Sequence, residues 1–453
     1  MQYIRPALEY ASPSWTPWIS ETNMKNLQRV QNDALRSVAG LTATCPVDFL
    51  HLETNVEPLK DRFRKNNLLL REKYKRLPIK DPRRKMLDKE SKIRLKTRQG
   101  WRHQVKENEL PYDVEELKPP LAPWRLTKLR FDEVKLEKSK DQYTKEELKK
   151  VTDDKVAEIE AEAVIFTDGS TSGRQERGGA GVYIIDRRTG KEIKDCAPAG
   201  AICSSYAAEG VAFLKALEWL RENPREATTI CTDSLSLQKA LANDDWKDSQ
   251  DWIRKIKEMC HRIQGEVTVL WIPSHCGCEG NEEADRLAEE GTKKEQSGVP
   301  ITHAIAQARI KNSKWAVEHQ RAQEVYREKR KPKFKAEKSW SRRVRSLYAR
   351  LRTGHAKQLK QYRYRIDAED DPYCVCGEEE DIRHILCECP ILDKVRREIM
   401  QEPVEMHHLV TEPEKCRLIL ATKINELKEN MNIGEPENVG RLRRQRGPDA
   451  AHA

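Results

Sequence analysis

Residues 164–170 read VIFTDGS, and residues 229–234 read TICTDS. Each is a short β-branched run that ends in Thr-Asp and a small residue, which predicts a buried strand with an aspartate at its carboxyl end. In open α/β sheets, ligands bind at the carboxyl ends of the strands, and a glycine or serine lets the chain turn away there. Either aspartate alone is typical of an ordinary turn. Together, Asp168 and Asp233 predict two carboxylates at one edge of a sheet.

The surrounding residues 163–291 alternate between short apolar runs and helical periods, as in a folded α/β unit. Strands are predicted at 163–167, 181–185, 228–232 and 267–272, with a further strand in 191–203. Helices are predicted at 205–221, 234–241, 251–263 and 281–290.

The helix between the two aspartate-ending strands carries an acidic residue on its apolar side. Glu209 shares a helical stripe with Phe213, Ala216 and Leu220. A carboxylate that faces a packed side is costly unless it is paired with a cation or bound to a metal. Both alternatives, a salt bridge and a metal, are open at this point.

A loop with the sequence PSHCGCEGNEEAD follows the last predicted strand, at residues 273–285. Asn281 is placed as the N-cap of a helix whose Asp285 lies one turn in, and His275 lies on the preceding loop. Cys276 and Cys278 flank a glycine beside this histidine. They favour ordinary loop cysteines over a soft metal site, because no fourth ligand is evident.

The ordered set of these motifs resembles that of cellular-type ribonuclease H. The chain has Thr-Asp-Gly-Ser at 167–170, Ala-Ala-Glu at 207–209, Thr-Asp-Ser at 232–234 and H-x-G-x-x-G-N-E-x-A-D at 275–285. Each motif alone is weakly specific, whereas four in the family's order are a specific signal over residues 163–291. The resemblance implies an α/β fold with a ribonuclease-H-like mixed five-stranded sheet and flanking helices.

The resemblance also implies the chemistry. Asp168, Glu209, Asp233 and Asp285 would hold two Mg²⁺ ions and cleave the RNA strand of an RNA–DNA hybrid, and His275 would assist proton transfer or product departure. Hard oxygen ligands suit Mg²⁺. Two ions about 3.5–4 Å apart can activate the attacking water and stabilise the leaving oxygen.

Substrate contacts are expected from three residues. A protein that distinguishes RNA from DNA must read the 2′-hydroxyl, and we expect backbone groups near Gly169 and Ser170 to do so, with polar residues at the start of the Glu209 helix. By resemblance to the family, Asn281 would help to contact the substrate.

A second candidate metal site lies near the C-terminus. Cys374, Cys376, His384 and Cys389 are three thiols and an imidazole, a set that can bind Zn²⁺ tetrahedrally. The Cys-x-Cys spacing is tighter than usual, and Cys387 competes with Cys389 as the last ligand. The cluster favours a zinc-knuckle-like segment over reduced, unmetallated cysteines.

The flanks of the α/β unit resemble the C-terminal part of non-LTR retrotransposon polyproteins. The resemblance rests on LEYASPSW at 8–15, LQRVQNDALR at 27–36 and LRTGH at 351–355, followed by the Cys/His cluster. No adjacent aspartate pair lies inside an apolar strand pair, so polymerase activity is not predicted. The chain is therefore interpreted as the terminal portion of a longer element.

Composition agrees with one folded core between charged flanks. The chain has 453 residues with a formal net charge of +10, and 35% of its residues are charged. These values exclude an evenly hydrophobic enzyme and favour a polyanionic partner. The predicted divisions are a helical segment at 1–75, a charged linker at 76–160, ribonuclease H at 161–296, a basic helical connector at 297–370, the zinc-knuckle-like segment at 371–397 and a polar tail at 398–453.

Nothing in the sequence predicts membrane insertion or secretion, since no run approaches the roughly 20 apolar residues of a membrane span and no signal peptide is evident. We expect an intracellular protein, in the cytoplasm or nucleus; the sequence does not indicate its oligomeric state. The leading hypothesis is a hybrid-cleaving nuclease. The alternatives are an inactive nucleic-acid-binding transposon remnant and a DNA-cutting integrase or transposase relative.

Overall fold

The computed structural model describes residues 4–88, 101–107, 113–117, 129–173, 176–243, 251–296, 300–327 and 336–429. They form two compact units. We call Lys65–Ser313 the α/β unit. The flank unit consists of the chain up to Arg64 together with the chain from Lys314 onward. No helix among the described residues combines the length and the apolar character that crossing a bilayer requires.

Seven helices of the described residues precede the first strand of the sheet, and an eighth follows that strand. They are α1 Ile4–Glu9, α2 Ser12–Trp15, α3 Glu21–Ala39, α4 Val47–Thr54, α5 Leu59–Lys75, α6 Pro82–Asp88, α7 Trp101–Glu107 and α8 Lys145–Ala157. The predicted helical character of residues 1–75 is confirmed for the described residues. The stretch predicted as a charged linker, by contrast, contains α8 and a strand of the sheet.

The sheet has six strands rather than the five predicted. The strands are β1 Leu129–Glu133, β2 Ala163–Thr171, β3 Gly178–Asp186, β4 Lys191–Gly200, β5 Ala227–Thr232 and β6 Glu266–Trp271. Their order is β1-β6-β5-β2-β3-β4. The first four in this order are parallel, and the β2–β3–β4 pairs are antiparallel. Strand β1 was missed because it lies at an edge and has no buried residue, so its sequence LRFDE lacks an apolar run.

In chain order, the last three strands separate and precede four helices. Helix α9 Ser205–Glu222 follows β4, α10 Leu235–Ala242 and α11 Asp251–Arg262 follow β5, and α12 Glu279–Lys293 follows β6. Ser204 and Ser234 begin α9 and α10 as N-caps, since each side chain accepts a hydrogen bond from a backbone N–H of the first turn. Helix α12 begins two residues earlier than predicted. Its N-cap is Cys278, so the prediction that Asn281 caps this helix is wrong.

Two cores sandwich the sheet. Ile165 and Ile230 point to the face covered by α9, α10 and α11. Their neighbours Val164 and Phe166 point to the opposite face, which α8 and α12 cover. Helix α12 approaches β3 so closely that a Cβ at Gly181 would lie 2.0 Å from the Ala284 carbonyl oxygen, which explains the glycine.

The remaining helices are α13 His303–Asn312, α14 Gln320–Tyr326, α15 Arg342–Thr353, α16 Lys360–Arg365, α17 Asp393–Ile399, α18 His408–Thr411 and α19 Pro413–Ala421. Of these, α14–α19 share one core with Phe49 and Leu50 of α4. Leu409 and Ile419 are fully buried there, although they lie in the predicted polar tail. The arginines at 441–446 of that tail lie outside the described residues.

Arg352 stands at the centre of the flank unit and is 0% exposed. Its Nη1 donates to Glu53 Oε1 at 2.9 Å, its Nε donates to the Leu409 carbonyl at 3.0 Å, and its Nη2 pairs with Glu337. Because a buried cation requires such partners, this network joins the N-terminal helices to the C-terminal ones. The sequence segments on either side of the α/β unit therefore belong to one folded unit.

Candidate active site

The two aspartates meet at the carboxyl edge of the sheet because β2 and β5 are neighbouring parallel strands. Thr167 pairs with Thr232 in the register of these strands, so the next residues, Asp168 and Asp233, emerge side by side. The Thr167 hydroxyl donates to the Cys231 carbonyl at 3.2 Å and ties the two strands together at this point.

The third carboxylate, that of Glu209, lies on helix α9. A Cβ on Gly169 would lie 2.1 Å from the Glu209 backbone nitrogen, so only glycine lets β2 and α9 approach this closely. As a result, Asp168, Glu209 and Asp233 each offer an oxygen within 4.8 Å of the others. Asp285, on the second turn of α12, lies near enough to Asp168 to raise its pKa by charge and by a shared hydrogen bond.

The electrostatics of this cluster are those of a site that needs a cation. Burial, followed by the charges of Asp233 and Asp285, raises the pKa of Asp168 to about 7. Burial and the charges of Asp168 and Asp233 raise the pKa of Glu209 well above its ordinary value. Burial also raises the pKa of Asp233, although the charges of His275 and Lys140 act in the opposite direction. Ionising all these groups together is therefore costly without a counter-charge.

One buried oxygen of the cluster is unpaired among the described residues. Within the part of the chain that the structure describes, Glu209 Oε2 is buried and makes no hydrogen bond. Four carboxylates and one unpaired buried oxygen are the donor set that a hard divalent cation such as Mg²⁺ prefers. The salt bridge considered for Glu209 is not among the described ion pairs.

His275 lies at the rim of the cluster. It is exposed, and its backbone has a φ of 52°, a left-handed value that is uncommon for a non-glycine residue. The adjacent Cys276 and Cys278 are buried in the core between α8 and the sheet, together with Leu148. Burial raises the pKa of Cys278 to about 12. These cysteines pack the loop against α8, and this packing accounts for both thiols without a bound soft metal.

A groove of about 370 Å³ opens beside Glu209. It is lined by Ser205, Tyr206, Ser234 and Ser236 as well as Glu209 itself. The Ser205 hydroxyl also lies 3.3 Å from the Thr171 hydroxyl at the end of β2, close to Gly169 and Ser170 in the chain. Asn281, by contrast, is only 3% exposed, and its Oδ1 is unpaired among the described residues.

The C-terminal Cys/His cluster comes together in the flank unit. Cys374, Cys376, His384 and Cys389 offer ligand atoms within 4.8 Å of one another. The distance from Cys376 Sγ to His384 Nε2 is 3.2 Å, and that from Cys374 Sγ to Cys389 Sγ is 4.0 Å. Lys423 Nζ donates to Cys374 Sγ at 3.3 Å.

The thiols of this cluster differ in acidity. Although burial acts to raise it, hydrogen bonds from the Cys376 amide, His384 and Lys423 lower the pKa of Cys374 to about 6. Cys387, the competing ligand in the sequence, is not in the cluster, and burial raises its pKa to about 11.

Comparison with known proteins gives consistent matches. A family model described as RNase H matches residues 160–293. Ribonuclease H of Phenylobacterium zucineum is 31% identical over 143 residues, which cover 29% of this chain and 90% of that protein. Ribonuclease H of Hyphomonas neptunium is 32% identical over 142 residues, which cover 28% and 90%, respectively. A crystal structure of LC11-RNase H1 in complex with RNA/DNA hybrid is 22% identical over 29% of this chain and 96% of that chain, with a TM-score of 0.25. The family match lies within the α/β unit.

Proposed function

The chain belongs to the ribonuclease H family, and we infer that its α/β unit hydrolyses the RNA strand of RNA–DNA hybrids. The observation that carries this proposal is the convergence of Asp168, Glu209 and Asp233, with Glu209 Oε2 buried and unpaired. Asp285 completes the set from α12. These four side chains would hold two Mg²⁺ ions, as the resemblance to the family implies.

The chemistry is an in-line displacement at phosphorus. Two bound Mg²⁺ ions would supply an activated water and stabilise the leaving 3′ oxygen. The protein's own task is to hold these carboxylates in register, which neighbouring strands do for Asp168 and Asp233. The bound cations would supply the counter-charge that keeps them ionised. His275, exposed beside Asp233, is free to assist proton transfer or product departure.

The groove beside Glu209 is proposed to receive the RNA strand. The hydroxyls of Ser205 and Ser234 line it, so they can exchange hydrogen bonds with a 2′-hydroxyl, the group that distinguishes RNA from DNA. Gly169 and Ser170 would contribute backbone contacts next to the groove. For Asn281, burial favours an indirect part in substrate binding, through the shape of the first turn of α12.

The test is Mg²⁺-dependent cleavage of a labelled RNA–DNA hybrid by the full chain, beside matched duplex DNA and duplex RNA. We expect only the RNA of the hybrid to be cut. Glu209→Gln should reduce the rate on the order of 100-fold or more, since it removes a metal ligand. Glu222→Gln, an exposed change at the end of the same helix, is the matched control.

Other outcomes identify the alternatives. Binding of the hybrid without cleavage would mean an inactive nucleic-acid-binding remnant. Equal cleavage of duplex DNA would mean a DNA-cutting relative of the integrase or transposase class.

We also propose that the C-terminal cluster binds Zn²⁺. The support is the tetrad of Cys374, Cys376, His384 and Cys389 with an acidified Cys374 thiol, which suits a soft tetrahedral ion. Metal analysis of the full chain should find a single zinc ion. Cys376→Ser should lose it and Cys387→Ser should keep it; equal zinc content in both variants would refute the assignment.

Finally, we propose that the chain is derived from a non-LTR retrotransposon polyprotein and that its basic flanks add affinity for nucleic acid. The support is the sequence of residues 8–15, 27–36 and 351–355. Phosphate neutralisation by the flanks predicts that hybrid binding falls steeply as salt rises. Sequencing the transcript upstream of the Met1 codon tests the origin, since a polymerase reading frame is expected there.

A further inference from the structure

The segment that precedes the family-matched region is built into the α/β unit. After β1, the Val134 amide donates to the Trp271 carbonyl at 3.0 Å, at the end of β6. Trp271 leads directly into the loop 273–278, which carries His275. We call residues 134–157, which end with α8, the lead segment. It thus runs beside the chain that forms the rim of the carboxylate cluster.

Helix α8 of the lead segment packs against this loop. Leu148 shares a core with Cys276 and Cys278, so the loop is anchored on both sides of its glycine. A Cβ at Gly277 would lie 3.3 Å from Lys145 Cε, which shows how closely the helix covers the loop. Lys149 Nζ lies 4.0 Å from Glu279 Oε1 at the start of α12. The buried contacts hold the loop's inner side.

On its outer side, the loop is contacted by a lysine of the lead segment. Lys140, in a 3₁₀ turn at Lys140–Gln142, donates from Nζ to Ser274 Oγ at 2.6 Å. This is a short, charge-assisted hydrogen bond. Ser274 immediately precedes His275, whose left-handed backbone costs free energy and persists only where neighbouring contacts hold it.

We propose that Lys140 is a positioning residue of the nuclease: by holding Ser274, it keeps His275 in its left-handed conformation beside Asp233. This inference rests on the proposed hybrid-cleaving function. It also makes the lead segment part of the catalytic apparatus, although this segment lies outside the family-matched residues 160–293. Lys140 acts through the loop and does not touch the reacting atoms. Its charge also acts on Asp233, and Ser274→Ala, which keeps that charge, isolates the positioning contribution.

The test compares Lys140→Met, Lys140→Arg and Ser274→Ala in the full chain. Loss of a side chain that orients a functional group costs on the order of tenfold in rate, so we expect Lys140→Met to lower kcat about tenfold with little change in KM. Lys140→Arg keeps a cationic donor and should restore most of kcat. Lys150→Met, which removes an exposed cation from α8, should keep the parental kcat.

A double-mutant cycle tests whether the two side chains act together. If Lys140 acts through Ser274, the Lys140→Met/Ser274→Ala double variant should be no slower than the slower of the two single variants. Additive losses would overturn the proposal. Unchanged kcat with a raised KM in Lys140→Met would also overturn it, because that pattern identifies a direct phosphate contact.

Hydrogen exchange without substrate separates this proposal from the proposed function. The Gly277 amide donates to Glu282 Oε1 at 3.1 Å, so peptides covering residues 273–280 report on loop order. We expect faster exchange there in Lys140→Met and Ser274→Ala, and parental exchange in Lys150→Met. Parental exchange in all variants would refute the positioning role even if the hybrid is cleaved. A parent that fails to cleave the hybrid refutes the proposed function instead.

Discussion

Replacing Asp168 with asparagine should stabilise the α/β unit in the absence of Mg²⁺ while abolishing cleavage. Asp168 is 8% exposed, and its pKa is raised from an ordinary 3.8 to about 7. A carboxyl whose folded pKa is raised contributes stability at low pH that is lost as the pH rises through the folded value. The free energy of unfolding of the parent should therefore fall as the pH rises from about 4 to 7. In Asp168→Asn it should fall less over the same pH range.

The magnitude follows from the size of the shift. A rise from 3.8 to about 7 corresponds to at most roughly 4 kcal/mol at pH 8. For a unit of this size, each kcal/mol shifts Tm by about 2–4 °C. We therefore expect the asparagine variant to melt at most about 8–16 °C higher than the parent at pH 8, with a much smaller difference near pH 5.

Calorimetry of the full chain in magnesium-free buffer measures this effect. The transition that moves upward when MgCl₂ is added to the parent belongs to the α/β unit, because a ligand stabilises the unit that binds it. The same addition should move this transition less in Asp168→Asn. If parent and variant lose the same stability between pH 5 and pH 8, the electrostatic reasoning about the carboxylate cluster is wrong.

Two further predictions concern packing. Gly169→Ala places a Cβ 2.1 Å from the Glu209 amide nitrogen, so β2 and α9 should separate and single-turnover cleavage of the hybrid should fall on the order of 100-fold. Arg352→Met leaves Glu53 and Glu337 buried without their cation, so urea unfolding should show a loss of about 3–5 kcal/mol in the flank unit.

The matched control for Arg352→Met is Arg343→Met, which changes an exposed arginine of the same helix. Equal stability of the two variants would show that the buried network contributes nothing. For Gly169→Ala, cleavage at the parental rate would show that β2 and α9 can approach each other without a glycine.

The sequence predicted much of the sheet because its inner strands are strongly apolar. The predicted strand at 163–167 is the start of β2, and that at 228–232 lies within β5, since both are buried on two faces. Edge strand β1 escaped prediction because its residues alternate between half-buried and exposed. Helix α8, with charged residues on its exposed side, was likewise assigned to a linker.

The flank unit shows where composition misleads. The high charge of the segment that contains α15 predicted a basic helical connector outside the folded core, yet α15 buries Val344, Tyr348 and Leu351. Its core forms between segments that lie far apart in the chain, such as Phe49 and Tyr326, whose rings pack edge to face. No local pattern reveals such partners.

The order of the motifs was enough to predict that four carboxylates come together, because local patterns put each one at a strand end or on a helix. The charge state of these carboxylates could not be predicted from local patterns, since the pKa of Asp168 depends on burial and on neighbours from β5 and α12. The fold also brings Lys140 into contact with Ser274, 134 residues later in the chain, and it buries Cys276 in the core. Motifs and their order can be read from short stretches of sequence, whereas the burial, charge state and partners of a side chain depend on contacts between residues far apart in the chain.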